Sequence, residues 1–289
     1  MPTLLLTGAA GFTGQHFAQA ARRAGYEVHP LAADLTDPKA VCAETATFDP
    51  DYVVHLAAIS AITHKDEEAF YRVNLFGTQN LLNALSVSLK RPKRVLLVSS
   101  SNVYGNVLVS PINESTCPVP VNHYAISKLA MEQLAGTFAN RLALVIVRPF
   151  NYTGVGHDVR FVIPKLIEHF NRRTTTVELG NLDVEREFND VRSVCDAYLQ
   201  LLKRGQPGQT YNVCSGRPVG LQSVIDGLRH ITGHDFQIKV NPDYVRANEV
   251  HRLCGDPAKL EACIGPLQHP SLEETLRWML KFASAPPSK

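Results

Sequence analysis

The chain has 289 residues, 45% hydrophobic and 19% charged, with 29 basic and 27 acidic side chains and a formal net charge of +2. That balance suits a globular enzyme, excludes disorder, and gives no electrostatic footing for nucleic acid or a membrane surface. The length suffices for a large core, in one domain or in two closely joined lobes. No apolar run approaches the ~20 residues that span a bilayer. No leader-like pattern opens the chain, so a cytoplasmic protein is expected. The cysteines (Cys42, Cys117, Cys195, Cys214, Cys254, Cys263) show no CxxC and no metal-like spacing with histidine. Reduced thiols and no metal site are the expectation.

Hydrophobic patterning predicts strands over 3–7, 27–31, 52–56, 94–99 and 142–147, with helices over 12–24, 68–89 and 124–140. Such alternation argues for a parallel sheet covered by helices on both faces. Beyond Pro149 the pattern predicts helices over 161–171, 191–204, 221–231 and 271–282, and strands over 210–213 and 236–240. Asp256-Pro257 reads as a further helix start, with the acid as cap and proline in the first turn. The expected fold is α/β: a doubly wound parallel (Rossmann) sheet with a smaller C-terminal α/β substrate lobe. Residues 1–150 plus about 188–213 would form the dinucleotide-binding domain, and about 151–187 with 214–289 the nucleotide-sugar lobe.

The first strand flows into Thr7-Gly8-Ala9-Ala10-Gly11-Phe12-Thr13-Gly14. A pyrophosphate must rest on backbone amides at the mouth of a helix. Gly8 permits the tight turn, Gly11 lets backbone approach phosphate, and Gly14 lets helix pack on strand. The amphipathic stretch from Phe12 to Ala24, closed by Gly25, supplies that helix. Farther on, Tyr124 and Lys128 stand four apart in a helical segment and share one face. An ammonium there can draw a phenol's pKa down and make it a usable acid or base. Ser99-Ser100-Ser101 closes the strand begun at Arg94, at the carboxyl edge where such sheets bind ligands.

With His55-Leu56-Ala57-Ala58, Val73-Asn74-Leu75-Phe76-Gly77-Thr78, Asn102-Val103-Tyr104-Gly105, Arg148-Pro149-Phe150-Asn151 and Arg186-Glu187-Phe188-Asn189-Asp190-Val191, these motifs resemble the nucleotide-sugar branch of the extended short-chain dehydrogenase/reductase family, essentially end to end. The resemblance implies Tyr124 as proton donor, Lys128 as its assistant and Ser100 as the oxygen-binding hydroxyl. It implies cofactor contacts at Gly8, Gly11, Phe12, Gly14, Asp34, Leu35, Leu56, Ala57, Ala58, Asn74, Tyr124 and Lys128. For the substrate diphosphate and nucleotide it points to Asn151, Arg186, Arg246 and Glu249. Arg186 has a plainer reading as a surface ion pair with Glu185 or Glu187.

The family carries out 4,6-dehydration, epimerisation, reduction and decarboxylation on one scaffold, so fold cannot decide the reaction. Family dehydratases place a carboxylate just after the serine or threonine, where this chain has Ser101 and Asn102. Neither can abstract a proton near neutrality, which argues against dehydration. Gly180–Val191, Tyr211–Gly216, Val245–Val250 and Gly255–Leu260 are similar to the GDP-4-keto-6-deoxy-D-mannose reductases, although Ile264-Gly265-Pro266 replaces their usual Leu-Gly-Trp. Reduction of a GDP-linked 4-keto-6-deoxy sugar is therefore expected. A nucleotide-sugar 4-epimerase with tightly held NAD is the alternative. A non-catalytic cofactor sensor ranks lower, because Tyr124 and Lys128 are both kept. NAD enzymes carry Asp or Glu at the end of the second strand, where this chain has Ala32. NADP(H) is accordingly favoured, with NAD(H) second, and a homodimer is the expected assembly.

Overall fold

A computed structural model describes residues 1–60, 65–245 and 251–283. Its first strand, β1 (Thr3–Thr7), buries Leu4, Leu5 and Leu6 almost completely. Continuous apolar strands of this kind belong to parallel sheets that are covered on both faces. Beside β1 lie β2 (Glu27–Pro30) and β3 (Tyr52–His55), followed by β4 (Arg94–Val98), β5 (Leu144–Pro149) and a sixth strand, Thr210–Val213. The order across the sheet is Thr210–Val213, β5, β4, β3, β1, β2, and every pairing is parallel. Because β2 and β3 flank β1 on opposite sides, the connections diverge there and open a crevice at the carboxyl ends.

Alternate side chains serve two layers, as the two-residue period of a strand requires. Leu4, Leu6, Val54, Leu96 and Val147 pack against Phe17 of α1 (Phe12–Arg23) and, further along the chain, against Val194, Tyr198 and Leu201. Leu5, Val53, Val95 and Leu97 face Val41 of α2 (Pro38–Phe48) and Leu81, Leu82 and Met131.

The patterning missed α2. Its signal is the same one that marks Asp256-Pro257: Asp37 caps the amides of Lys39 and Ala40, and Pro38 occupies the first turn. The helix expected over 68–89 is a composite. The short α3 (Glu67–Phe70) runs into a seven-residue π turn, Tyr71–Gly77, and then into α4 (Thr78–Val87). The wide turn buries Asn74 and Gly77, and such turns concentrate at functional sites. The next helix is α5 (His123–Gly136), and β5 begins two residues later than expected.

A second core lies in the C-terminal half. Here α6 (Val162–Asn171) contributes Ile163, Leu166 and Phe170, beside the parallel strand pair Thr176–Leu179 and Gln237–Val240. After α7 (Val191–Arg204), whose Val194, Tyr198 and Leu201 cover the sheet, α8 (Leu221–Thr232) adds Val224, Ile225 and Leu228 to this second core. The helix expected after Asp256 is α9 (Ala258–Ile264), with Pro257 at the N-cap and Asp256 one residue before it instead of the acid as cap, and it buries Leu260 and Ile264 in the sheet's own core. It lies in the segment expected to belong to the substrate lobe. The last helix, α10 (Leu272–Ala283), returns Leu276 and Met279 to the second core.

In the glycine turn backbone packs closely on backbone. Gly8 has φ +69°, and a Cβ on Gly14 would stand 2.1 Å from the Gly8 carbonyl oxygen. Gly14→Ala should therefore destabilise the fold by at least about 1–3 kcal/mol, the usual range for overpacking. Urea unfolding should show a lower midpoint at an unchanged slope.

Candidate active site

β4 ends at Val98 and delivers Ser99, Ser100 and Ser101 to the carboxyl edge of the sheet, where a single 3-10 turn, Ser101–Tyr104, follows. α5 begins beside it, with the Asn122 side chain accepting from the Ala125 amide at 2.9 Å. This brings Ser100, Tyr124 and Lys128 together, all three buried. Ser100 faces the Tyr124 phenol and draws its pKa down, and Lys128 Nζ donates to the Val98 carbonyl at 2.8 Å. Ser100 Oγ accepts from both the amide and the side-chain Nδ2 of Asn102, each at 3.2 Å. Its own hydrogen is thus left to donate to Tyr124.

The electrostatics differ from the sequence expectation. Burial holds the Tyr124 phenol above its ordinary range, and the Ser100 bond offsets this only in part. Burial also pushes Lys128 down to about 8, while Glu132 opposes that shift. The four-residue spacing correctly places the two side chains on one face. It says nothing of where the ammonium points, and here it points to Val98. A phenol held above its ordinary pKa is protonated at neutral pH, the state a proton donor needs.

Behind these residues Glu132 and Arg148 form a buried bidentate pair, with Arg148 Nε and Nη2 donating at 3.0 and 2.6 Å. Ser99 donates to the same carboxylate, and Arg148 Nη1 reaches the Tyr104 hydroxyl at 3.0 Å. Asn74 is fully buried and exchanges two hydrogen bonds with the backbone of Ile59, and it also donates to Ser127 on α5. Its side chain therefore ties the loop after β3 to α5.

His55 completes this layer. Thr78 Oγ1 donates to the Asn74 carbonyl at 2.7 Å, so the imidazole Nε2 must donate to Thr78. The Ala57 amide donates to Thr7 Oγ1, whose hydrogen then goes to Nδ1. The ring is neutral, and burial, reinforced by the Lys128 charge, lowers its pKa to about 3.

The glycine turn fits a dinucleotide. Gly11 is exposed, and a Cβ there would meet only the Gly8 carbonyl, at 3.3 Å. No side chain caps the first turn of α1, so its amides remain directed outward for a pyrophosphate. Leu56, Ala57 and Ala58 line the chain just after β3, half-buried. Phe12 stacks on His157 at 4.4 Å, and His157 stacks in turn on Phe161 at 4.3 Å, which joins the turn to the start of α6. Asp34 is exposed and accepts from the amide and hydroxyl of Thr36, which hold its carboxyl below the usual range. The Leu35 side chain is in the core. Glu44 of α2, which the sequence reading missed together with its helix, accepts from the amides of Ala32 and Ala33 at 2.8 and 2.7 Å.

Of the substrate candidates, the Asn151 side chain is exposed while its carbonyl accepts from Asn189. Arg186 Nη1 donates to the carbonyls of Glu185 and His251. The plainer reading of Arg186 fails for Glu187, which is fully buried and accepts from the amides of Gly255 and Ser215, the Ser215 hydroxyl and Asn189. Arg246 and Glu249 lie outside the described residues.

The profile of the NAD dependent epimerase/dehydratase family matches residues 4–214. The chain belongs to that family. It is 34% identical over 268 residues to the GDP-6-deoxy-D-talose 4-dehydrogenase of Aggregatibacter actinomycetemcomitans, covering 91% of each chain. It is 33% identical to the GDP-6-deoxy-D-mannose reductase of Pseudomonas aeruginosa, covering 96% of this chain and 95% of the other. A solved Pseudomonas aeruginosa structure complexed with NADPH superposes with a TM-score of 0.91 at 31% identity, over 98% of this chain and 99% of the other. The protein is thus an NAD(P)-dependent, nucleotide-sugar-modifying enzyme with a Rossmann-type sheet. Among the described residues, no helix is long and apolar enough to cross a membrane.

The neutral His55 makes a pH prediction. As pH falls below 6.5 the unfolded chain protonates this histidine, whereas the folded chain resists until about 3. The unfolded state then binds more protons, so stability falls as pH is lowered across that window. His55→Gln keeps a donor and an acceptor but has no such titration. The stability difference between wild type and His55→Gln, measured by urea unfolding, should therefore shift against the wild type between pH 6.5 and 3.

Proposed function

We propose that this enzyme reduces the 4-keto group of a GDP-linked 4-keto-6-deoxy sugar, GDP-4-keto-6-deoxy-D-mannose, with NADP(H) favoured and NAD(H) accepted. The observation that carries this reading is a buried Tyr124 phenol held above its ordinary pKa and facing Ser100, next to an amide at Asn102 instead of a proton-abstracting carboxylate. The two relatives named above support it, since both names describe redox chemistry on GDP-linked 6-deoxy sugars.

When bound, the reduced nicotinamide supplies a hydride to the C4 carbonyl carbon. Gly8, Gly11, Gly14 and the first turn of α1 would cradle its pyrophosphate. Lys128 retains two hydrogens beyond the one given to Val98 and would bond the nicotinamide ribose. Tyr124 gives its proton to the C4 oxygen as the carbonyl π bond breaks, and the phenolate regains a proton from solvent. Ser100 holds the same oxygen. The balance is keto sugar, reduced cofactor and one proton in, with hydroxy sugar and oxidised cofactor out. Asn151 and Arg186, joined by Arg246 and Glu249, would hold the diphosphate and nucleotide. The substrate lobe would comprise the second core together with these residues, and the working assembly would be a homodimer.

Wild-type enzyme given GDP-4-keto-6-deoxy-D-mannose and NADPH should consume both in equal amounts, and NMR should show one C4 epimer of the hydroxy product. Given GDP-mannose and NADP+, it should form no 4-keto-6-deoxy product. Accumulation of that product would overturn the assignment. Tyr124→Phe should lose roughly 10²–10⁴-fold in turnover, the range for a general acid, with NADPH affinity almost unchanged.

A further inference from the structure

The sequence lacks an acidic residue at the end of the second strand, yet the structure places a carboxylate there. β2 ends at Pro30, and the Leu31 amide still bonds the Leu6 carbonyl of β1 at 2.8 Å. Ala32 and Ala33 therefore leave the sheet at its carboxyl edge, beside the glycine turn that follows β1. In a dinucleotide fold this is where the adenosine ribose lies. Glu44 reaches back from α2 so that Oε1 meets the Ala32 amide at 2.8 Å and Oε2 meets the Ala33 amide at 2.7 Å. The helix that carries Glu44 is fixed at its start by the Asp37 cap and anchored by the buried Val41 and Thr45. Glu44 itself is half-buried.

We infer that Glu44 reads the cofactor's adenosine ribose, accepting hydroxyl hydrogen bonds where an acidic residue of β2 would ordinarily do so, and opposing a 2′-phosphate. A carboxylate offers about four lone-pair sites, and the two alanine amides fill only two of them. The remaining two suit ribose hydroxyls, which are donors. A 2′-phosphate brings only acceptors and negative charge to the same place, and it must displace the carboxylate before it can take the two amides. The chain still accepts both cofactors, and Glu44 narrows the preference for NADP(H) by adding a hold on the unphosphorylated ribose. This inference rests on the proposed dinucleotide site and adds a discriminating residue to it.

The test measures the dissociation constants of NADH and NADPH by fluorescence titration of the whole enzyme, for wild type, Glu44→Gln and Glu44→Ala. Glu44→Ala should weaken NADH and tighten NADPH, moving their ratio by about tenfold or more, the size of one charge-assisted hydrogen bond. Glu44→Gln keeps the shape but not the charge and should move the ratio part of the way. Thermal melts of both variants check that the fold is kept. An unchanged ratio, or equal weakening of both cofactors, would show that Glu44 only braces the loop and would overturn the inference. A shifted ratio without keto-sugar turnover would overturn the proposed reaction alone. Failure of the wild type to bind either cofactor would overturn both.

Discussion

Glu132 and Arg148 meet at 2.6 Å where neither side chain has appreciable contact with water, and the geometry of the candidate catalytic residues depends on that pair. Each charge alone would be intolerable in such a place. Removing one partner of a buried pair typically costs about 3–5 kcal/mol, whereas a well-packed apolar substitute for both can be neutral. The pair is therefore better understood as a specification of position than as a source of net stability. Glu132 stands one turn beyond Lys128 on α5, and Arg148 projects from β5. Ser99 donates to the same carboxylate, and Tyr104 passes the connection from Arg148 to Asn212 on the sixth strand at 2.7 Å. The helix bearing Tyr124, the strand tip bearing Ser100 and the sheet edge are all held to one point.

A second buried carboxylate does comparable work through neutral donors among the described residues. Glu187 accepts four hydrogen bonds, three of them from the chain just past the sixth strand and before α9, at Ser215 and Gly255. The fourth comes from Asn189, which also meets the Asn151 carbonyl. Segments far apart in sequence thus converge behind the two candidate diphosphate residues, Asn151 and Arg186. Amide and hydroxyl donors in a fixed arrangement satisfy the charge.

What the sequence made legible was local in cause. A leucine strand followed by glycines at fixed spacing, a serine-tipped strand and a tyrosine–lysine pair each act over a few residues, and the structure brings all three to one edge of the sheet. What it left illegible depended on tertiary neighbours. Glu132 and Arg148 are separated by the last turn of α5, a loop and most of β5, so no spacing rule joins them. The side-chain face shared by Tyr124 and Lys128 was readable, but the burial that dominates both pKa shifts was not. Helix α2 was an avoidable miss, because Asp37-Pro38 carries the same start signal as Asp256-Pro257. With it went Glu44, the carboxylate that β2 itself does not provide.

Position 102 shows how one atom can redirect a shared scaffold. As an amide, Asn102 can donate to Ser100 Oγ, and it does so beside its own backbone amide. With both contacts donating inward, the serine hydroxyl has one direction left, toward Tyr124. The polarity of the row is then fixed from Asn102 through Ser100 to the phenol, and the phenol's proton is the one free to move to a substrate oxygen. A carboxylate at the same place could only accept, so it would take the serine hydrogen, reverse that polarity and stand ready as a base. The amide therefore does more than lack a dehydratase function. It arranges the hydroxyls around it for proton donation, which is the half of the chemistry that a ketone reduction requires of the protein.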